Sequence, residues 1–497
     1  MSGPKLIGID VGTTTVKAAR VDLNGMVERS YASRYDTTRR APNIVEQDAG
    51  DWIAHVQAAL RELVDGLAQG ELQAVGLCSH VNSHVFVAAD GTPLMPAFVW
   101  QDGRCGGVAA ELDSLVREED KLKWWGAPLP IDASHVLSRM EWVKRYRPDV
   151  WRRTRWVLSP KDYCIMQLTG EVVADPMASF GVVDQNLDYI ADLIDLVGGA
   201  FERLAPVRPF TSVAGVIKPG LPAAGTPMVV ATMDAWSGLF GSGVLDQGDG
   251  LYLSGTSEVL GIVSEQKHPE SGVIAFPRCE GITLHAAPTQ AGGASMAWLS
   301  NLLGRTPNEL SNLAAGINRH STVPIFLPHL QGERAPLWNI NARASFSGID
   351  ASMGPADFTV AMMEGVAFSA RMAIESLQRS AGTIPVALKT AGGGMGSDIW
   401  CQIRADILAR PLHRRQNLDA GVLGAAVLAG TGAQLFSSIA DAAAQLVVTE
   451  RVFEPDCSLR EHYDYRYAKY KELYRQLEVF NLEMVSRAEE LSEPQSP

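Results

Sequence analysis

The sequence predicts an α/β protein of two domains. Three observations carry this: the length, an opening run of three strands, and the recurrence of that opening in the second half. With 497 residues the chain exceeds the ~250–300 residues at which one hydrophobic core stops growing. Two domains of roughly 250 residues each are therefore expected. Apolar residues make up 46% and charged residues 20%, a globular balance rather than a disordered or collagen-like one. Lys and Arg number 43 against 56 Asp and Glu, a net charge of −13. That acidic balance argues against nucleic acid or an anionic membrane as partner, since both need a basic footprint.

The elements follow in order. Leu6–Asp10 reads as a buried strand, Gly12–Thr15 as a turn and Val16–Asp22 as a second strand. Leu23, Asn24 and Gly25 then form a hairpin signal leading to a third strand. Gln47–Ala68 has helical periodicity, with Trp52, Val56, Leu60, Leu63 and Leu67 on one stripe. Ala74–Cys78 and Val85–Ala88 are strands, the second closed by Asp90 and Gly91. Residues 105–205 alternate short helices and loops, among them Asp149–Trp156 and Asp162–Leu168. A Pro/Gly-rich loop, Pro219–Pro227, precedes the strand Met228–Ala231. The small, polar, glycine-rich run Gly241–Gly250 is the expected boundary, giving domains 1–245 and 246–497.

The second half opens as the first does. Gly250–Val263 can be laid over Leu6–Val21, with Gly255, Thr256 and Ser257 falling on Gly12, Thr13 and Thr14. The rest is helix-rich, with a strand at Ala387–Thr390 and a long C-terminal helix at Tyr463–Leu491. Its stripe of Tyr463, Tyr467, Tyr470, Tyr474 and Leu477 reads as core packing. Ala420–Ala440 is charge-free but too weakly apolar to span a bilayer. Its small residues suit a tightly packed internal helix. The six cysteines form no C-x-x-C pair, which fits reduced thiols. The N-terminal apolar run stops at Asp10, too short for a signal peptide. A cytoplasmic protein is expected.

The common nucleotide motifs are missing. No Walker-type loop ending in Gly-Lys-Ser or Gly-Lys-Thr occurs, and the turn at Gly12 joins strand to strand, unlike a Rossmann fingerprint. What remains is a hydroxyl-rich turn that occurs twice. Gly12 and Gly255 permit close backbone approach to a polyphosphate. Thr13, Thr14, Thr15, Thr256 and Ser257 offer donors, and Lys17 a positive charge. The bland alternative is a pair of ordinary β-turns. Gly392, Gly393 and Gly394 follow a strand and precede a helix at Ile399–Leu408, a shelf suited to adenosine with a helix N-terminus toward phosphate. Gln290–Ser295 has the same form.

Two aspartates end strands. Asp234 closes Val229–Asp234 at the carboxyl edge, where α/β sheets bind ligands. It reads either as a helix N-cap or as a general base for a substrate hydroxyl. Asp10 precedes the first turn and suits Mg²⁺, directly or through water, because phosphates supply most ligands of such an ion. His80 and His84 lie on the segment Ser79–His84 without a third ligand nearby in sequence. Contacts to a polyhydroxy substrate suit that segment better than a metal. Trp100 offers a ring face for a sugar, or caps a core with Gln101–Arg104.

Together these stretches resemble the FGGY family of carbohydrate kinases, within the actin-like ATPase superfamily, over the whole chain. The resemblance is carried by Gly8–Lys17, Trp100–Cys105, Leu327–Pro336, Ala344–Ile349 followed by Asp357–Glu364, Gly392–Gly394 and Ala420–Ala426. Xylulose kinases look like the nearest subgroup. The resemblance implies two ribonuclease-H-like domains with a cleft between them, the sugar on the N-terminal side and ATP on the C-terminal side. It implies ATP and Mg²⁺ as cofactors, Asp234 as catalytic base and Asp10 as the magnesium-associated aspartate. Thr13, Thr14 and Thr256 match phosphate contacts, and Gly293, Gly393, Gly394 and Ser397 match nucleotide-binding positions. Val81, Asn82 and Trp100 fall on the sugar side. Dimers are common in the family, which makes a homodimer one expectation. Val81-Asn82 stands where xylulose kinases have Met-His, Ala235 where they have Asn, and Arg139 where a signature lysine is usual. The substrate expected is therefore a small ketose or polyol. Xylulose, a tetrulose, erythritol or glycerol all remain open, and a non-kinase actin-like ATPase is the rival reading.

Overall fold

The computed structural model describes residues 3–40, 43–417 and 419–492. The chain separates into two compact units. One comprises residues 1–243, 277–279 and 419–448; the other comprises 244–276, 280–418 and 449–497. The segment 419–448 thus returns to the first compact unit after the second has begun.

The first unit is built on strands β1 (Lys5–Val11), β2 (Thr15–Asp22) and β3 (Val27–Arg34), helix α1 (Ala49–Val64), and strands β4 (Leu72–Ser79), β5 (Val213–Val216) and β6 (Pro227–Val229). They form one sheet in the order β5-β6-β4-β1-β2-β3. The meander β1–β3 is antiparallel, and β4 then lies parallel to β1. Successive side chains of a strand alternate between faces. Ile7, Ile9 and Val11 join a core with Trp52, Val56 and Leu60 of α1. Leu6, Gly8 and Asp10 take the other face. Asp48 starts α1 by accepting from the Gly50 N–H at 2.8 Å. The helix ends at Val64, short of the expected Ala68, where Gly66 turns the chain at φ 78°. The expected helix Asp149–Trp156 likewise stops at Arg153. Trp156 instead begins a strand, Trp156–Leu158, that pairs with Val85–Val87. Helix α2 (Asp234–Gly241) follows β6.

The second unit repeats the plan. β7 (Gly250–Ser254), β8 (Glu258–Val263), β9 (Ile274–Ala275) and β10 (Leu284–Pro288) precede helices α3 (Gly293–Leu303) and α4 (Pro355–Ala381). β11 (Leu388–Ala391), α5 (Asp398–Leu408) and β12 (Leu412–Arg415) follow. β7 pairs antiparallel with β8 and parallel with β11, as β1 does with β2 and β4.

Helix α6 (Ala420–Gly432) then packs on the open face of the first sheet. A Cβ on Gly8 would lie 1.9 Å from the Val422 carbonyl oxygen, and one on Gly76 2.0 Å from that of Ala425. Gly424 is as tight against α2, its notional Cβ 1.7 Å from the Ser237 oxygen. These contacts explain the small residues of both the strands and the helix. β13 (Thr449–Phe453) completes the second sheet, and α7 (Arg460–Ser492) closes the chain. The α7 stripe packs on α4: Tyr463, Tyr467 and Tyr470 ring centroids lie 6.4, 5.9 and 5.5 Å from that of Phe368. Among the described residues no helix is long and apolar enough to cross a membrane.

Candidate active site

In the first unit Asp10 lies near the carboxyl end of β1 and Asp234 beyond that of β6, the two strands that flank β4. Asp10, on the face that α6 covers, sits opposite Lys17 of β2 and Cys78 of β4 in register. Ser79 bridges to Met233, which brings the start of α2 beside the end of β4. Met233, not Asp234, is the N-cap residue, and it makes no side-chain cap. Asp234 is the first helical residue, and its carboxylate accepts from the Ala235 N–H at 2.7 Å. The helix N-terminus favours negative charge there.

Both acids are held in costly surroundings. Burial lifts Asp10 to about 7, and the nearby charge of Asp234 adds to the rise, while Lys17 and the Cys78 thiol oppose it. Burial lifts Asp234 to about 6, against the pull of the Ala235 N–H. Asp10 Oδ1 is buried with no hydrogen-bond partner. A Cβ on Gly421 would sit 2.9 Å from Asp10 Oδ2, so α6 needs glycine there to leave the carboxylate room. The Lys17 ammonium is 2.5 Å from Asp419 Oδ1. No local pattern announces that pairing, because 402 residues separate the partners.

The first hydroxyl turn lies directly after Asp10. The Gly12 N–H donates to the Thr15 oxygen at 3.1 Å, closing it. Gln47 donates to the Thr13 carbonyl at 2.7 Å, and the Tyr35 hydroxyl donates to the Gly12 carbonyl. The Trp100 indole N–H donates to Thr13 Oγ1 at 3.0 Å. Trp100 is thus tied to the turn. The rest of its motif braces the core: Asp102 accepts from the Val45 N–H at 2.7 Å and from Arg104 at 2.6 Å. The Arg104 guanidinium lies 4.6 Å from the Phe98 ring centroid.

The segment after β4 divides its histidines. His80 Nδ1 donates to the Val11 carbonyl at 2.9 Å, and burial lowers its pKa to about 4, so the ring is neutral. His84 Nδ1 accepts instead from Arg139 at 2.9 Å. Arg139 is fully buried and also donates to the carbonyls of Asn82 and, at 2.7 Å, Val99. It thereby holds Asn82 in a left-handed conformation with φ 56°. The two histidines share no ligand position. Among the described residues no three His, Cys, Asp or Glu side chains gather as a metal cluster. A cavity of about 140 Å³ lies beside Asn82 and His84, lined also by Ser134, His135, Asp162 and Tyr189. Neither Asp10 nor Asp234 lines it.

The second unit gathers the other glycine-rich stretches. The Gly255 N–H donates to the Ser257 oxygen at 2.9 Å, closing the second turn. The Gly293 and Ala294 N–H groups, at the start of α3, donate to the Gly255 and Thr256 carbonyls, each at 2.9 Å. Gly392, at φ 102°, would place a Cβ 2.3 Å from the Ser254 oxygen, so the shelf and the turn touch through backbone. Ser397 caps α5 by accepting from the Trp400 N–H. A Cβ on Gly393 would meet nothing within 4 Å. The stretch 327–336 supports this group: Glu333 accepts from the Gln290 N–H at 2.5 Å, and Arg334 donates to the Thr289 carbonyl at 2.9 Å.

The N-terminal domain of the FGGY family of carbohydrate kinases matches residues 5–241, and its C-terminal domain matches residues 250–433. A xylulose kinase of Staphylococcus epidermidis is 27% identical over 97% of this chain and 98% of its own. One of Escherichia coli is 28% identical over 95% and 99% respectively. The solved xylulose kinase of Lactobacillus acidophilus superposes with a TM-score of 0.85 at 24% identity, covering 95% of this chain and 98% of that one. With both family domains matched in order and the doubled sheet topology present, the chain belongs to the FGGY family of carbohydrate kinases.

Proposed function

We propose that the chain transfers the γ-phosphoryl group of ATP to a hydroxyl of a small ketose or polyol, in the manner of a xylulose kinase. The observation that carries this reading is the half-buried pair Asp10 and Asp234 on either side of β4, beside a hydroxyl-rich turn. Asp234, raised to about 6, is ionised at neutral pH yet basic enough to take a proton, the condition for an effective general base. It would accept the substrate hydroxyl proton as that oxygen attacks phosphorus. The Asp10 oxygen without a partner suits a cation, and Mg²⁺ needs few protein carboxylates when phosphates complete its shell. When bound, that ion spreads the charge of the transferring group. Thr13, Thr14 and Thr15, with Lys17, would orient phosphate oxygens on the first unit; Gly255, Thr256 and Ser257 would do so on the second. Gly293, Gly393, Gly394 and Ser397 would take the nucleotide. Catalysis is then mainly positioning and electrostatics.

On the sugar side the reading assigns Val81, Asn82 and Trp100. The pair Val81-Asn82 and Ala235 favour a second reading for the substrate alone: a tetrulose or another polyol such as erythritol or glycerol. Coupled ADP release with Mg·ATP against tetruloses, pentuloses, pentitols, glycerol and erythritol tests both. Turnover on one of them, reduced ~10²-fold or more in Asp234→Asn, is the expected result. Sugar-independent hydrolysis alone, unchanged by Asp234→Asn, would refute the kinase assignment of these residues.

A further inference from the structure

We propose that Arg404 is a positioning residue for the nucleotide, fixing the second hydroxyl turn against the glycine shelf. The inference rests on the reading that these two stretches hold ATP. Arg404, on α5, is fully buried. One arm of its guanidinium donates to the Gly394 carbonyl at 2.8 Å. The other donates to Ser254 Oγ at 2.9 Å and Glu258 Oε1 at 2.7 Å. Ser254 and Glu258 are the residues on either side of the Gly255–Ser257 turn. A single planar group therefore grips both ends of the turn and the shelf beside it.

The surroundings leave that group little freedom. Glu258 Oε1 also accepts from Ser254 Oγ at 2.9 Å, and Oε2 accepts from the Tyr252 hydroxyl at 2.8 Å. The guanidinium carbon lies 4.0 Å from the Trp400 ring centroid and 5.3 Å from that of Tyr252. A Cβ on Gly394 would come within 2.2 Å of Ser254 Oγ, so shelf and strand end have no slack between them. The residues that face outward are immediate neighbours of those Arg404 holds. Thr256 is exposed and lies between Ser254 and Glu258; Gly393 is exposed and precedes Gly394.

A buried ion pair is a poor source of net stability, and well-packed apolar residues often replace one without loss. Its retention here is accounted for by precision. A lysine cannot reproduce the two-armed, planar grip, and small misplacements of binding groups reduce catalysis steeply.

The test compares Arg404→Met, Arg404→Lys and the double variant Arg404→Met/Glu258→Leu in the full-length enzyme. The readouts are KM for ATP, KM for the sugar, calorimetric ADP binding and thermal midpoint. All three variants should raise KM for ATP and weaken ADP binding roughly tenfold or more, with the sugar KM within about twofold of wild type. The double variant leaves no unpaired buried charge, so its midpoint should recover while its KM for ATP stays high. If KM and midpoint recover together, or if a folded Arg404→Lys binds ADP like wild type, the inference fails. Should Arg404→Met not fold, the other two variants decide. Gly393→Val separates the underlying reading, since its side chain enters open space away from Arg404. If Gly393→Val leaves ADP binding unchanged, the nucleotide assignment of the shelf falls, and this inference with it. If Gly393→Val weakens binding and the Arg404 variants do not, only the positioning role is refuted.

Discussion

Asp234→Asn should make the protein more stable and far less active at once. The native carboxyl titrates at about 6, against about 3.9 in an unfolded chain. A gap of about two units corresponds to ~3 kcal/mol when the group is ionised in both states. The Asp234 side chain retains some exposure, which reduces the figure to ~1–3 kcal/mol. The sign follows from proton binding. Between about pH 4 and 6 the native state holds more protons than the unfolded state, so this group's penalty grows as pH rises and levels off above about 6. Asparagine carries no such penalty, and its amide oxygen can still accept from the Ala235 N–H. Loss of the negative charge also relieves Asp10, for which Asp234 is the second cause of elevation after burial.

The assay is denaturant or thermal unfolding of metal-free, nucleotide-free protein from about pH 4.5 to 8, with kcat measured in parallel. The variant should match wild type at the acid end and gain stability by ~1–3 kcal/mol at pH 8, while kcat falls ~10²-fold or more. Wild-type kcat should fall as pH drops through about 6, because the protonated carboxyl cannot take a proton. Equal stability at both ends of the pH range would refute the claim that burial strains this acid. A kcat within about tenfold of wild type would refute its role as base.

Other perturbations probe neighbouring parts of the structure. Asp10→Asn should raise the Mg²⁺ concentration needed for half-maximal rate and stabilise the metal-free protein at neutral pH; rates that saturate at the wild-type concentration would count against a magnesium role. Trp100→Phe keeps a ring but removes the N–H donated to Thr13 Oγ1. The net value of one hydrogen bond, ~0.5–1.5 kcal/mol, translates to about a two- to tenfold rise in KM for ATP; a change confined to the sugar KM would place Trp100 in the sugar site instead. Gly424→Ala drives a methyl group to 1.7 Å from the Ser237 oxygen. The forced separation of α6 from α2 should cost about 3 kcal/mol or more in a urea titration, and an unmoved midpoint would show that the two helices have slack.

Much of the fold was legible because its signals are local. Alternation in Leu6–Val11 and the turn after it, the stripe on α1 and the tyrosine stripe on α7 each declare an element within a few residues. The repeat of strand, turn and strand at Gly250–Val263 predicted the second sheet for the same reason. What sequence could not show was partnership at long range. Arg139 registers in the sequence as a substitution for lysine, but its grip on Asn82, His84 and Val99 depends on how three segments converge. Lys17 reads as an available cation, yet it is paired with Asp419 on a segment that returns to the first unit. Trp100 reads as a sugar platform, yet its N–H is committed to the phosphate-type turn. The return of 419–448 to the first compact unit likewise has no local signal. The stability of α6 lies in backbone contact with Gly8 and Gly76, which no local pattern encodes.

The two turns are alike in backbone and unlike in charge, and the difference explains why only one carries acids. Laying Gly255 on Gly12 places Leu253 at the position of Asp10 and Leu260 at that of Lys17. The second turn therefore keeps the hydroxyls and the glycine but has neither the carboxylate nor the cation. Its one buried acid, Glu258, is neutralised by Arg404 beneath the surface. A second exposed carboxylate facing a polyphosphate would repel it, whereas a turn offering only N–H and hydroxyl groups attracts it without setting another group's protonation. On the proposed reading, the acid beside the first turn would be tolerated because Asp10 would meet a cation and Asp234, at the start of α2, a proton. Both acids are raised by burial, so the unliganded first unit holds unfavourable electrostatic energy that a bound cation would relieve. If the proposed roles hold, the doubled fold would use one copy for charged chemistry and leave the other neutral toward its ligand, with its ion pair keeping the turn in place.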